Sequence, residues 1–269
     1  MTLPPYAMSQ TSFPELYERY LVNSLFRPWA ELTFEELKPS STDRILDVAC
    51  GTGIVARVAR ERLGEGASIV GVDISAEMLG VARRVAPSID WREGNVTDLP
   101  LRDDERFDVV VCQQGLQFFP DKPAAAAQMR RALETGGTLA ILTWRPDDEV
   151  PFFSDLRKVA ERHLGPITDL RHSFGSDAPL RALLEAAGLK DVVISTVSKT
   201  IRFDDGVALL RLNTMALVGM SAAGKALSED DRKRVIETIA KESAPILQRY
   251  TDGAKTAFDL STNLATGRS

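Results

Sequence analysis

Between Ile45 and Gly53 the chain reads Ile-Leu-Asp-Val-Ala-Cys-Gly-Thr-Gly, and Asp73 follows Gly53 by twenty residues. Glycines at Gly51 and Gly53 let backbone amides come close to a ligand, because no Cβ intervenes. The helix that starts behind them offers unpaired N–H groups. A carboxylate such as Asp73, at the end of a following apolar run, can accept hydrogen bonds from both hydroxyls of a ribose. These residues describe a nucleoside site at the carboxyl edge of a doubly wound sheet. Gly51-Thr52-Gly53-Ile54-Val55-Ala56 also fits the G-x-G-x-x-G/A dinucleotide fingerprint. Two features pull the other way: Asp47 sits inside the first strand, where dinucleotide sites usually carry an apolar residue, and about forty helical residues precede that strand.

The elements that position these residues follow from periodicity. Ser12-Phe13-Pro14-Glu15 has a capping-box pattern with proline in the first turn. Leu16, Tyr17, Tyr20, Leu21, Ser24 and Leu25 recur at helical spacing, and Pro28 restarts a second helical segment. From Arg44 strands and helices alternate: strands at 44–49, 68–74, 89–93, 107–113 and 138–144, helices at 54–63, 76–86 and 122–133. Phe107–Gln113 is nearly all apolar, as expected of a strand buried on both faces. This alternation implies a mostly parallel α/β sheet covered on both sides. Beyond Pro146 helices are expected at 152–164, 179–187, 207–220 and 229–250, with strands at 192–203 and 256–266 and a polar loop at 167–176.

Composition narrows the class. The chain has 269 residues, 44% hydrophobic and 26% charged, with a formal charge of −5. That is an ordinary globular composition rather than a disordered or disulfide-stapled one. Residues 1–150 carry 16 basic and 23 acidic side chains, whereas 151–269 carry 17 and 15. An acidic first half repels phosphate backbones, so no nucleic-acid partner is expected. The longest stretch free of charge, Met1–Pro14, holds three prolines and cannot span a membrane. Cys50 and Cys112 fit no CxxC pattern, and His163 and His172 are nine residues apart, which is not a helix-borne metal spacing. A cytoplasmic, metal-free protein is expected, monomeric or a homodimer.

ILDVACGTG, VGVDIS, GNVTDLP, FDVVVCQQGLQFFPD and LETGGTLAIL, in that order, resemble the successive motifs of class I S-adenosylmethionine-dependent methyltransferases, and most closely the ubiquinone/menaquinone-biosynthesis-like small-molecule group. The resemblance covers Arg44–Trp144, with a looser match in FPELYERYLV and HSFGSDAPLRALLEAAGL. It implies a doubly wound, mostly parallel seven-stranded Rossmann-like sheet, with a helical arm (1–40), a cofactor core (41–150) and lid helices with the final strands (151–269), forming one domain. It further implies that Asp47, Ala49, Gly51 and Gly53 surround the methionine portion of the cofactor, Asp47 through water to the ammonium group. Asp73 would bind the ribose, Ile74 and Met78 would pack near the adenine, and Asn95 and Val96 would face its edge. Gln113 and Gln114 would border the methionine moiety and the methyl path. Related sequences often carry Asp where Asn95 stands, but an amide oxygen can still accept from the adenine amine.

A sulfonium methyl group is already activated, so the protein mainly has to place the acceptor in line with it. An apolar pocket with few polar groups is expected, and Tyr17, Tyr20, Gln117, Phe118, Trp144, Phe152, Phe153, Phe174, Met215 and Met220 are its candidates. His163 and His172 are the side chains whose ordinary pKa lies near neutrality, which makes them the candidate bases. The expected function is transfer of a methyl group to a small, mainly apolar organic acceptor at O, N or C. A nicotinamide-dependent oxidoreductase on the same kind of sheet and a non-catalytic nucleoside-binding protein are the alternatives.

Overall fold

The computed structural model describes residues 12–269; the first eleven residues of the expected arm lie outside them. Eight strands form one sheet: β1 Ile45–Val48, β2 Ile69–Asp73, β3 Asp90–Glu93, β4 Phe107–Gln113, β5 Leu133–Trp144, β6 Lys190–Phe203, β7 Thr251–Asp252 and β8 Lys255–Arg268. Seven lie in the order β3-β2-β1-β4-β5-β8-β6, and the two-residue β7 pairs with β8. The pairs β1–β2, β2–β3, β1–β4 and β4–β5 are parallel. β8 returns antiparallel to β5, with Trp144 opposite Thr262. Chain order reverses between β1 and β4, and the crevice outside the strand carboxyl ends at such a switch point is where ligands bind in open α/β sheets.

The central strands are apolar because both of their faces are covered. All four residues of β1 are buried, as are six of the seven in β4. Leu46, Val48, Val110, Leu139 and Ile141 form the centre of this core, joined by Met129 and by Leu180 and Leu184 of the helix Asp177–Ala186. At the opposite end of the sheet Arg44 ties strands together, donating to Asp108 at 3.0 Å and to Glu134 at 3.1 Å.

The chain divides into two compact units. One contains Phe26–Trp144, Phe174–Val197 and Thr262–Ser269, and the other contains the chain through Leu25, Arg145–Ser173 and Ser198–Ser261. Within the second, Val159, Leu164, Leu217, Val218 and Ile239 bring together the helices Pro151–Leu164, Gly206–Met220 and Glu229–Arg249. Those last two helices fall between β6 and β8 in the chain, as the sequence indicates. Phe152 stacks on Phe258 with ring centroids 4.4 Å apart, and Phe203 on Phe258 at 6.0 Å.

The arm departs from its expected form. Ser12 precedes the helix Phe13–Tyr17, but its side chain makes no capping bond. Glu18–Phe26 winds as a π-helix before Arg27–Leu37 continues as an α-helix. Pro28 has no amide, so it closes neither an α turn onto the carbonyl of Ser24 nor a π turn onto that of Asn23, and the change of winding falls beside it. The expected loop at 167–176 holds a short 3-10 turn, Leu170–His172, capped by Asp169.

Candidate functional site

The glycine loop connects β1 to the helix Ile54–Leu63 and is bent by three left-handed residues: Ala49 at φ +55, Gly51 at +56 and Gly53 at +86. Ala49 is not glycine, and a strained residue of this kind persists where the surrounding bonds over-determine it. The Cys50 amide donates to the Val72 carbonyl at 3.0 Å and the Gly53 amide to the Cys50 carbonyl at 2.8 Å. At Gly53 a second reason requires glycine, and at Gly71 it is the only one shown: a Cβ there would meet the Trp91 ring at 2.1 and 2.3 Å respectively. The indole of β3 therefore lies under the loop.

Two carboxylates hold the loop. Asp73 Oδ2 accepts the Gly51 amide at 2.7 Å, and its Oδ1 accepts the Ser75 amide at 2.8 Å. Asp47 is 1% exposed, and its Oδ2 accepts the Ala56 amide at 3.0 Å. Burial pushes the Asp47 carboxyl up to about 8; the Ala56 amide opposes that shift and the negative charge of Asp73 adds to it. Beside Asp73, Ile74 is 69% exposed, and the half-buried Met78 donates its amide to the Ser75 cap at 3.2 Å.

The remaining cofactor candidates occupy the same unit. Asn95 is exposed, and its Oδ1 already accepts the Thr97 amide and hydroxyl, each at 3.0 Å. Val96 packs against the sheet core. Gln113 ends β4 and Gln114 follows it at φ +56. Both are buried: the Gln113 Nε2 donates to the Phe26 carbonyl at 3.1 Å and the Gln114 Nε2 to the Thr262 hydroxyl at 3.0 Å. A Cβ on Gly115 would come within 2.7 Å of the Ala49 Cβ, so the turn after β4 rests directly on the glycine loop.

The acceptor candidates divide between the two units. Gln117, Phe118, Trp144 and Phe174 belong with the sheet. There Gln117 is buried and Phe118 exposed. Trp144 packs on Trp29 and Phe26, with centroids at 5.6 and 6.1 Å, and Phe174 lies against the core with the Lys122 ammonium over its ring. Tyr17, Tyr20, Phe152, Phe153, Met215 and Met220 belong to the other unit. There Tyr20 and Met215 pack around Leu16 and Leu212, and Met220 packs against the Val159 cluster. Phe152 and Phe153 are core residues around Phe258.

The two histidines differ in kind. His163 sits at a helix end with its Nε2 3.0 Å from Glu242, a surface pairing. His172 is buried against Phe153, with its Nδ1 2.7 Å from the Arg145 carbonyl, and burial lowers its pKa. Since that carbonyl only accepts, Nδ1 carries the proton and Nε2 the lone pair. Sequence reading did not find Trp91, Trp29 or Phe26, since nothing local in their segments marks a ring that reaches another strand or helix.

The glycine loop and the β2 carboxylate sit on a sheet whose order β3-β2-β1-β4-β5-β8-β6, with β8 antiparallel to β5, is that of the Rossmann-like methyltransferase fold. Residues 45–137 match the family model described as a methyltransferase domain. The 2-phytyl-1,4-naphtoquinone methyltransferase of Synechococcus elongatus is 33% identical over 146 residues, which cover 52% of this chain and 60% of that protein. The chain thus spans less than two thirds of that relative's length. The demethylmenaquinone methyltransferase of Lactiplantibacillus plantarum is 28% identical over 208 residues, covering 70% of this chain and 85% of that protein. In fold, the chain matches the crystal structure of a SAM-dependent methyltransferase from Thermotoga maritima, with a TM-score of 0.55, 18% identity and 98% coverage of both chains.

No described helix is long and apolar enough to cross a membrane. Among the described residues, no group of three or more His, Cys, Asp or Glu is placed to hold a metal ion.

Proposed function

We propose that this protein transfers a methyl group from S-adenosylmethionine to a small, mainly apolar organic acceptor. The observation that carries the reading is the pair of bonds at Asp73, whose two oxygens are fixed by the Gly51 and Ser75 amides at the end of β2. Each oxygen keeps a further lone pair, so the fixed carboxylate can still accept from ribose hydroxyls. A Cβ on Gly51 would meet nothing within 4 Å, so there is open space beside the loop at that residue. The residues present therefore fit the cofactor.

When bound, S-adenosylmethionine supplies an electrophilic methyl group on sulfur. Asp73 would hold the ribose and the exposed Ile74 would cover the adenine. Asp47 and the loop 49–53 would surround the methionine part, with Gln113 and Gln114 bordering it. The protein's further task is placement of the acceptor in line, and orientation contributes ~7–11 kcal/mol at the ideal limit. A hydroxyl or amine acceptor also sheds a proton during or after transfer. The acceptor is proposed to be quinone-like, in keeping with the names of the relatives.

Isothermal titration of the folded chain with S-adenosylmethionine, S-adenosylhomocysteine and NADH tests the reading. Binding of the first two and not the third is expected. Folded protein that binds neither adenosyl ligand refutes it. A labelled-methyl transfer screen over mixed metabolites then separates transfer from mere binding.

A further inference from the structure

We propose that Gln117 is a specificity-determining residue that accepts a hydrogen bond from an O–H or N–H group of the methyl acceptor. The inference rests on the methyl-transfer reading above. Gln113, Gln114 and Gln117 are all buried at the carboxyl end of β4, and the amide orientations of Gln113 and Gln117 are forced by carbonyl partners. The Gln117 Nε2 donates to the Gln114 carbonyl at 2.9 Å and the Gln113 Nε2 to the Phe26 carbonyl at 3.1 Å. Carbonyls only accept, so a flipped amide would set oxygen against oxygen. The Thr262 hydroxyl that receives the Gln114 Nε2 gives its own proton to the Thr143 carbonyl at 2.9 Å, so it too acts there as an acceptor.

Three Oε1 atoms are consequently left without a donor, each shut off from solvent. A buried acceptor left unmade costs ~1–3 kcal/mol, and three within a five-residue stretch depart from the usual pattern of a folded interior, where such groups are paired. The donors come from what binds there. Gln113 and Gln114 border the methionine part of the cofactor, which brings its own ammonium. Gln117 stands one turn further on, in the segment Leu116–Phe118, and is 2% exposed. Gly115, two residues before it, rests on Ala49, so the turn shares the carboxyl edge with the glycine loop. The oxygen of Gln117 is therefore the one left for the acceptor. A neutral amide oxygen receives a hydrogen bond but does not take the proton away. Its role is thus recognition, favouring phenols, enols and amines over their alkylated counterparts.

The test is isothermal titration of the full chain, saturated with S-adenosylhomocysteine, with 2-naphthol and with 2-methoxynaphthalene, which share a ring system and differ by one donor. Because the cofactor product is saturating, changes in its affinity do not enter the ratio. About tenfold or tighter binding of 2-naphthol is expected, the equivalent of ~1.4 kcal/mol. Gln117→Leu is expected to bind the two alike, with Gln117→Met as the second variant should leucine fail to fold. Equal binding by the wild type, binding of neither naphthalene to the loaded protein, or a preference that survives in the variants overturns the inference. Failure of S-adenosylhomocysteine itself to bind overturns the methyl-transfer reading, and this inference with it.

Discussion

The Oδ2 of Asp47 accepts the backbone amide of Ala56 at 3.0 Å, so a residue of β1 caps the first turn of the helix Ile54–Leu63. Gly53, at the N-cap, has no side chain to do so. The cap is a carboxyl raised from its ordinary 3.8 to about 8 by burial, with a smaller contribution from Asp73. Between about pH 4 and 8 the unfolded chain gives up this proton while the folded chain keeps it. Its contribution to stability is therefore full below about pH 4 and is lost as pH rises towards 8. Asp47→Asn keeps an oxygen for Ala56 and removes the titration. The variant is expected to melt at a higher temperature than wild type, by a margin that widens from pH 5 to pH 8 in scanning calorimetry. A margin independent of pH contradicts the assignment.

Cofactor binding shares this carboxyl. A cationic ammonium brought near Asp47 favours its ionised form, so binding at pH 7 is expected to release a proton. Titrations of S-adenosylhomocysteine in two buffers of different ionisation enthalpy measure that release directly. It should vanish in Asp47→Asn.

Asp73 acts on both loop and ligand. Its carboxylate accepts from Gly51 and Ser75, and hydrogen bonds to a charged group contribute ~1.5–3 kcal/mol each. Asp73→Ala is expected to weaken S-adenosylmethionine and S-adenosylhomocysteine equally, by about 10- to 100-fold, because the two share the ribose. Loss of affinity for only one of them would place the carboxylate elsewhere. Asp73→Asn, which keeps an acceptor, should fall between.

What could be read from the sequence here was local. Apolar runs and helical spacing between Arg44 and Trp144 mark strands and helices because each period is set by neighbours a few residues apart. The loop 49–53 and Asp73 stand out for the same reason. What could not be read depends on residues far apart in the chain. Asp47 reads as a ligand contact, yet it also caps a helix nine residues on. Trp91 reads as a residue of a weak strand, yet it lies against two glycines of other segments. The orphaned oxygens at Gln113, Gln114 and Gln117 follow from partners at Phe26 and Thr262, which periodicity does not bring together. Ser12 carries the local signal of a cap without forming one.

The indole of Trp91 gives a steric prediction with an internal control. Gly71 has an ordinary φ and Gly53 a left-handed one, while a Cβ on either would strike the ring. Overpacking of this sort costs ~1–3 kcal/mol. Gly71→Ala should therefore lower the thermal midpoint, and adding Trp91→Leu should restore most of the difference between glycine and alanine. At Gly53 the same second substitution should restore less, because backbone strain persists after the ring is gone. Equal rescue at both positions, measured as double-mutant cycles by denaturant unfolding, would rule out the left-handed contribution.

Cys50 and Cys112 are both free and buried, and burial raises each thiol, that of Cys112 to about 12. The carboxylates of Asp47 and Asp73 add to the shift in both. Thiolate, the reactive form, is therefore scarce in either residue at neutral pH. In the folded protein an aromatic disulfide reagent should titrate neither cysteine on the timescale in which it titrates both in denaturant. Cys112→Ala removes a side chain from the centre of the sheet core and should destabilise the fold without changing this reactivity. Cys50 lies at the loop, 7% exposed, and is the more sensitive probe of it. Its reaction should slow further once S-adenosylhomocysteine is bound, and an unchanged or faster rate would show that the ligand sits away from the glycine loop.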